Sequence, residues 1–118
     1  MPTDVSDSKQ VNIFVCRTVE TFGTVHLLFN IAEVGSGIAT PLWESPVADW
    51  QWLMGVNLWG VIHGMRAFVP AMIAQDVPCP VVNVASVAGL TSGTRLGIYR
   101  MTKHAVVSLS EDFVQPVV

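Results

Sequence analysis

The sequence has little charge and few residues suited to a metal or disulfide site. Only 13% of its 118 residues are charged, whereas 51% are hydrophobic, and the net charge is −3. This composition excludes a disordered chain, because so apolar a sequence must bury much of its surface. The lack of any basic run argues against nucleic acid as a partner. The length allows one domain at most.

Cysteine is also scarce. Cys16 and Cys79 show neither a CxxC spacing nor a histidine at ligand distance in the sequence. We therefore expect free thiols in a reducing compartment, the cytoplasm, and no metal site. The amino terminus from Met1 to Asp4 is polar and lacks the pattern of a signal peptide.

No hydrophobic run reaches the length of a membrane span. Sixteen uncharged residues lie between Asp49 and Arg66, fewer than the ~18–20 that a span needs. Asn57 and His63 interrupt this run. We expect a buried helix here and no contact with a membrane.

Apolar spacing, caps and breakers predict helices that alternate with strands. The expected elements are a helix capped by Ser6 or Asp7 and stopped at Gly23, a strand at 25–29, a helix from about 47 to 74 bent or broken by Pro70, a strand at 81–85, and a helix from near 97 or 99 to Gln115. The first strand is expected to be buried on both faces. The long helix is apolar nearly all round, which predicts burial against a sheet and another helix.

This alternation predicts right-handed crossovers and an open sheet of parallel strands. Ligands of such sheets lie beyond the carboxyl ends of the strands. Asn30 and Ser86 each follow a predicted strand. We therefore expect a site at that edge.

Tyr99 and Lys103 carry the chemistry that the sequence predicts. They are four residues apart on the last helix and so project from one face. Tyr99 is the only tyrosine, and Lys103 is one of two lysines. An ammonium beside a phenol favours the phenolate, so that phenol can act as general acid or base. With the Ser86 hydroxyl, the set predicts proton transfer at a carbonyl or alcohol oxygen; on spacing alone, a solvated helix face is the alternative.

These residues belong to a collinear series that resembles the short-chain dehydrogenase/reductase family over nearly the whole chain. Tyr99 follows Ser86 by thirteen positions, which is the usual interval of the family. The other matching segments are Asp4-Val5, Asn30-Ile31-Ala32-Glu33 in the place of Asn-Asn-Ala-Gly, Val56-Asn57-Leu58-Trp59-Gly60, and the segment from Val82 to Gly89.

The resemblance implies a fold, a reaction and catalytic roles. Residues 1–118 would form an incomplete α/β domain, the catalytic central part, with a partial Rossmann-like parallel sheet flanked by helices. The reaction would be carbonyl/alcohol interconversion by hydride transfer, with NAD or NADP as cofactor. Tyr99 would be the acid/base, Lys103 would support it and bind the nicotinamide ribose, and Ser86 would orient the carbonyl. Asn57 would hold a water through its backbone in a local helix irregularity.

Binding residues and partners follow from the same resemblance. Asp4, Asn30 and Ala32 would join Tyr99 and Lys103 in binding the cofactor. Asp4 would meet the adenine ring, although it could simply be a polar terminal residue. The expected partners are a small-molecule alcohol or carbonyl substrate and further copies of the chain, which would form a homo-oligomer through the long helices.

The departures from the family pattern lead to a second hypothesis. The Gly-rich cofactor segment and the carboxyl-terminal substrate region have no counterpart, which implies a truncated member. Glu33 replaces a glycine near the expected cofactor path. Ile31 stands in the place of an asparagine, so the side-chain amide of the family motif is missing there. Gly35-Ser36-Gly37 predicts a flexible loop rather than a phosphate site. The alternative function is therefore an inactive fragment that associates with an intact homologue through its helices, with poor solubility or obligate oligomerisation.

The remaining aromatic residues are given structural interpretations. We expect His26 and His63 to be packed or hydrogen-bonded, and His104 to lie on the surface. The three tryptophans at helical spacing predict a core or a helix interface. They are Trp50, Trp52 and Trp59.

Overall fold

The computed structural model describes residues 1–35 and 40–113, in which helices flank a two-stranded parallel sheet. The predicted α/β class is confirmed. The elements are α1 (Ser8–Phe22), β1 (Leu28–Asn30), a 3₁₀ turn (Leu42–Glu44), α2 (Val47–Met54), a π-helical turn (Gly55–Trp59), α3 (Gly60–Ala74), β2 (Val81–Asn83), a second 3₁₀ turn (Val87–Gly89) and α4 (Gly97–Phe113). Ser36 and Gly37 of the predicted flexible loop lie outside the described residues.

The two strands are joined at their carboxyl ends by side chains as well as by backbone. β1 pairs with β2 from Leu28↔Val81 to Asn30↔Asn83. The Asn30 Nδ2 donates to the Asn83 Oδ1 at 2.8 Å, and the Asn83 Nδ2 donates to the Ser110 Oγ of α4 at 3.1 Å. These amides bond the predicted ligand-binding edge of the sheet to the last helix.

The expectation of a first strand at 25–29, buried on both faces, is wrong. The strand begins only at Leu28, and Leu27 and Phe29 are 48% and 52% exposed. Successive side chains point to opposite faces, and only the face of Leu28 packs into the core. Before the strand, the backbone of Val25 is hydrogen-bonded to a side chain and not to a neighbouring strand. The Gln75 side-chain amide donates to the Val25 carbonyl at 2.8 Å and accepts from the Val25 N–H at 2.7 Å.

The core lies between α1, β1 and α3. Phe14 of α1 meets Phe68 of α3 edge-on, with ring centroids 5.5 Å apart. The ends of α1 follow the predicted signals, because Asp7 caps the first turn through the Lys9 N–H and Gly23 ends the helix at φ +79°. The buried residues of the core are Val11, Val25, Leu28, Phe68 and Met72.

The long helix runs from Val47 to Ala74 and is not broken at its proline. α3 continues through Pro70 to its end, so the expectation of a break there is wrong, whereas a bend at Pro70 stays a prediction. Phe68 and Met72, on either side of Pro70, are both buried. The departure from α-helical geometry is the π turn at Gly55–Trp59.

The predicted all-round burial of the long helix and of its tryptophans is wrong in part. Trp52 and Trp59 are 50% and 47% exposed, so neither belongs to the core of this chain. β2 also ends earlier than predicted, at Asn83 rather than Ala85.

The histidines differ in their surroundings. His26 is exposed, which contradicts its predicted packing. His63 is half-buried with its ring 5.5 Å from that of Trp59, and His104 is exposed as predicted, with its Nδ1 2.8 Å from the Arg100 carbonyl oxygen. Within residues 1–35 and 40–113, no three metal-binding side chains cluster together and no helix could span a membrane.

Gly89 sets the distance between the second 3₁₀ turn and α4, and its replacement should destabilise the fold. A Cβ there would lie 2.7 Å from the Lys103 carbonyl oxygen, which belongs to rigid helix backbone. We expect Gly89→Ala to lower the free energy of unfolding by about 1–3 kcal/mol. The measurement is urea unfolding followed by circular dichroism.

Gly55→Ala is the matched control. Gly55 has helical dihedral angles, and a Cβ there would meet only the Ser6 Cβ at an ordinary 3.4 Å. Because alanine favours helix over glycine by up to about 1 kcal/mol, the control should be neutral or stabilising. Equal destabilisation by both substitutions would contradict the close approach at Gly89.

Candidate active site

Tyr99 and Lys103 meet on the face of α4 that is turned to the sheet edge. The Lys103 ammonium lies 5.6 Å from the centroid of the Tyr99 ring. Lys103 is only 2% exposed, and its Nζ donates to the Val84 carbonyl at 3.2 Å, directly after β2. The helical spacing thus produces the juxtaposition that the sequence predicts, at the carboxyl end of a strand.

Glu33 is the third member of this cluster. It lies in the loop after β1, and its Oε2 is 2.6 Å from the Lys103 Nζ. The same oxygen accepts a hydrogen bond from the Tyr99 hydroxyl at 3.2 Å. The Lys103 ammonium holds the pKa of the Glu33 carboxyl below its ordinary value, and the hydrogen bond from Tyr99 acts in the same direction.

Asn57 joins the loop of Glu33 to α4 through its side chain. Its Oδ1 accepts from the Val34 N–H at 2.8 Å, and its Nδ2 donates to the Val34 carbonyl at 2.8 Å and to the Thr102 hydroxyl at 3.2 Å. Val34 follows Glu33 in the chain, and Thr102 precedes Lys103. Asn57 is 1% exposed. Its amide therefore fixes the two segments that carry the ion pair.

The π turn places Asn57 in a local helix irregularity, as the family resemblance implies. The side-chain contacts of Asn57 were not anticipated, because the resemblance assigns a role only to its backbone. A buried asparagine in an otherwise apolar helix was the available signal, since such an amide needs hydrogen-bond partners.

Ser86 comes two residues after Val84, whose carbonyl accepts from Lys103, but within the described residues it has no hydrogen bond to the cluster. Its Oγ accepts from the Ala88 N–H at 3.1 Å and so caps the second 3₁₀ turn. That turn packs on α4 where Gly89 approaches the Lys103 carbonyl. A hydroxyl that accepts from an N–H keeps its own proton free to donate.

The other predicted cofactor residues do not meet the cluster. Asp4 is exposed, and its Oδ1 accepts from the Ser6 N–H and hydroxyl, which lowers the pKa of its carboxyl. Asn30 is bonded to Asn83. Asn30 and Ala32 line an apolar cleft of about 110 Å³, far below the ~300–1,000 Å³ typical of small-molecule sites.

The nicotinamide cofactor that the resemblance implies does not fit this arrangement as it stands. The Lys103 ammonium and the Tyr99 hydroxyl are suitable donors to ribose and carbonyl oxygens. Both already point to the Glu33 carboxylate. A ligand oxygen that bonds to both groups would therefore compete with that carboxylate. The sequence signal for this contact was the glutamate in the place of a glycine.

Comparison with known proteins finds relatives over most of the chain. A family model for short chain dehydrogenase matches residues 1–117. The CLA biosynthesis dehydrogenase/reductase of Lactiplantibacillus plantarum is 37% identical over 110 residues, which are 92% of this chain and 37% of that protein. The 2-(R)-hydroxypropyl-CoM dehydrogenase of Xanthobacter autotrophicus is 36% identical over 109 residues, 92% of this chain and 43% of that protein.

Solved structures agree. The crystal structure of a short-chain dehydrogenase/reductase from Burkholderia phymatum in complex with NAD matches with a TM-score of 0.88 and 50% sequence identity, covering 96% of this chain and 40% of that one. The chain thus spans 37–43% of the length of these relatives. The family model covers nearly every residue, and the resemblance seen in the sequence is confirmed. The chain belongs to the short-chain dehydrogenase/reductase family.

Proposed function

We propose that residues 1–118 carry the catalytic central part of an NAD(P)-dependent oxidoreductase that interconverts carbonyl and alcohol groups. The observation that supports this most strongly is the meeting of the Tyr99 phenol and the Lys103 ammonium beyond the end of β2. Family membership supports the class of reaction, since the matched relatives include dehydrogenases and a structure with bound NAD.

Each group of the site has a chemical role in this proposal. The Tyr99 phenol would give its proton to the substrate oxygen in reduction, and the Tyr99 phenolate would take a proton from it in oxidation. The Lys103 ammonium offers a positive charge to that phenolate. Ser86 can donate its free hydroxyl proton to the same substrate oxygen. A nicotinamide cofactor, when bound, would supply or accept the hydride.

The cofactor is proposed as NAD or NADP, and the substrate as a small-molecule alcohol or carbonyl compound. The complex with NAD in the Burkholderia structure supports the nicotinamide class. Asp4, Asn30 and Ala32 stay predicted cofactor contacts, although in this structure their polar groups serve local hydrogen bonds or face a small cleft.

We also propose a cytoplasmic location. Cys16 is exposed and Cys79 is half-buried, and both thiols are free. Free thiols suit a reducing compartment.

Tyr99→Phe should abolish most turnover while leaving the fold intact. Phenylalanine keeps the ring but lacks the proton, so we expect a loss of about 10²–10⁴-fold. The assay mixes the purified chain with NAD⁺ or NADP⁺ and a panel of secondary alcohols and follows the reduced nucleotide by its absorbance.

His104→Gln is the control for this assay, since His104 is an exposed residue of the same helix. Its turnover should equal that of the unsubstituted chain. Equal turnover by Tyr99→Phe would contradict the proposed role of the phenol. A chain with neither nucleotide binding nor turnover would contradict the enzymatic proposal and favour the alternative of an inactive chain that acts through association.

Asn57→Ala should both destabilise the chain and reduce its turnover. The substitution removes the hydrogen bonds to Val34 and Thr102 and leaves backbone groups of Val34 unpaired. We expect the free energy of unfolding to fall by about 1–3 kcal/mol. Asn12→Ala, at an exposed position of α1, should leave stability and turnover unchanged. Equal stability of the two variants in urea would show that the Asn57 contacts contribute nothing.

Homo-oligomer formation through the long helix is part of the proposal. Trp52 and Trp59 both belong to the long helix, and both are about half exposed. Large exposed aromatic residues favour an interface. Sedimentation velocity should therefore show a dimer or larger species.

Trp59→Glu should shift this species toward the monomer, because it places a charge in the interface. Trp43→Glu is the control, since Trp43 is 85% exposed and lies outside the long helix. A monomeric unsubstituted chain, or equal dissociation by both substitutions, would contradict this interface.

A further inference from the structure

The contact between Glu33 and the Lys103–Tyr99 pair is close and uses the groups on which the proposed chemistry depends. One carboxylate oxygen lies 2.6 Å from the Lys103 Nζ and accepts the Tyr99 hydroxyl proton at 3.2 Å. The distance to Lys103 is that of a charge-assisted hydrogen bond, and the distance to Tyr99 is that of a longer, ordinary one. The carboxylate therefore holds the ammonium and the phenol at the same time.

The position of Glu33 is supported by its neighbours rather than by the ion pair alone. Asn57 binds both backbone groups of Val34, the next residue, and also binds Thr102, which precedes Lys103. Asn57, Thr102 and Lys103 are each at most 2% exposed. A buried amide thus keeps the backbone beside Glu33 against the helix that carries its partners.

Lys103 needs a counterion in this environment. A buried ammonium is costly unless it is paired and hydrogen-bonded. Within residues 1–35 and 40–113, Glu33 is the carboxylate that contacts its Nζ, and the Val84 carbonyl is its other acceptor. Glu33 is 47% exposed, so solvent is open to its side chain if it leaves the pair.

We propose that Glu33 is an internal ligand of Lys103 and Tyr99 that competes with a nicotinamide nucleotide for these two groups. The inference rests on the proposed function for the identity of the competitor. The single phenol proton cannot serve the carboxylate and a ligand oxygen at the same time, and Glu33 and the Val84 carbonyl already occupy two of the three N–H donors of the ammonium. Glu33 thereby weakens nucleotide binding and restrains the phenol proton until it is displaced.

The charge of Glu33 persists at neutral pH. The pKa of its carboxyl is lowered, chiefly by Lys103, so the group stays ionised above the ordinary glutamate value of about 4.3. The stability that the ion pair contributes is therefore present above that pH and is lost as the pH falls through the lowered value. The titratable groups that contact Glu33 in the described structure are Lys103 and Tyr99, both on α4.

The first test needs no nucleotide and compares Glu33→Gln with the unsubstituted chain. Tyr99 is the only tyrosine, so modification of its phenol by N-acetylimidazole, measured by mass spectrometry, reports on a single site. Glu33→Gln removes the charged acceptor of the Tyr99 hydroxyl, so the hydroxyl is held less firmly and its rate of modification should rise several-fold.

The second nucleotide-free readout is the reactivity of the two lysine amines, measured by mass spectrometry after labelling with an amine reagent. Lys9 is exposed and serves as the internal reference. In Glu33→Gln the labelling of Lys103 relative to Lys9 should rise several-fold, because the Lys103 ammonium loses the carboxylate that holds it. Glu20→Gln is the matched control, since it removes the same charge from an exposed position of α1.

The third readout is nucleotide affinity, measured by fluorescence titration with NADH and NADPH. Glu33→Gln should bind about tenfold more tightly than the unsubstituted chain and Glu20→Gln. Circular dichroism verifies the fold of each variant. If Glu33→Gln does not fold, Glu33→Asp applies the same readouts, because it keeps the charge and shortens the reach by one methylene; its shifts should be in the same direction and smaller.

The outcomes separate this inference from the proposed function. Unchanged Tyr99 modification and unchanged Lys103 labelling would overturn the internal ligand, whatever the nucleotide affinity. Raised modification and labelling with equal, measurable affinities would overturn the competition. Raised modification and labelling with no nucleotide binding by any variant would sustain Glu33 as an internal ligand and contradict the proposed cofactor function of this chain.

Discussion

The burial of the Lys103 ammonium is the constraint on which the site depends. A charge that is 2% exposed must be paired and hydrogen-bonded. Its partners are Glu33 and the Val84 carbonyl, which come from the loop after β1 and from the segment after β2. Through these two contacts, the Lys103 ammonium joins α4 to both loops at the edge of the sheet. The proposed chemistry and the contact with Glu33 both depend on this convergence.

Side-chain amides support the small sheet. Because only two strands are paired in the described structure, backbone groups and strand ends find partners in asparagine and glutamine side chains. Gln75 bonds the backbone of Val25, and Asn30 and Asn83 bond the strand ends to each other. The Asn57 side chain bonds both backbone groups of Val34, in the loop after β1. These amides position the site without belonging to its proposed chemistry.

Membership in the family and the departure at Glu33 have to be considered together. The chain belongs to the family and spans 37–43% of the length of the matched relatives. In this chain a carboxylate stands where the family pattern has a glycine. A glycine has no side chain to offer Lys103, whereas Glu33 binds it directly. The same donors therefore serve both the proposed reaction and a contact within the chain.

The sequence by itself determined the features that depend on near neighbours in the chain. The caps of α1, the start of α4 and the shared face of Tyr99 and Lys103 follow from spacings of a few residues, which local backbone geometry converts into structure. The family and the α/β class were recognisable for the same reason, as a collinear series of short motifs. Catalytic roles stay predictions, because geometry alone does not measure them.

Only the tertiary structure decided which distant groups meet and which apolar residues stay exposed. Glu33 and Tyr99 are 66 positions apart, so no local pattern could place the carboxylate on the phenol. The late start of β1 depends on Gln75, fifty positions from the backbone that it bonds. The exposure of Trp52 and Trp59 likewise depends on which surfaces have packing partners. The hydrophobic effect is non-directional, so an apolar pattern does not specify which distant residues come into contact. Long-range packing selects one set of contacts among the many that the sequence permits.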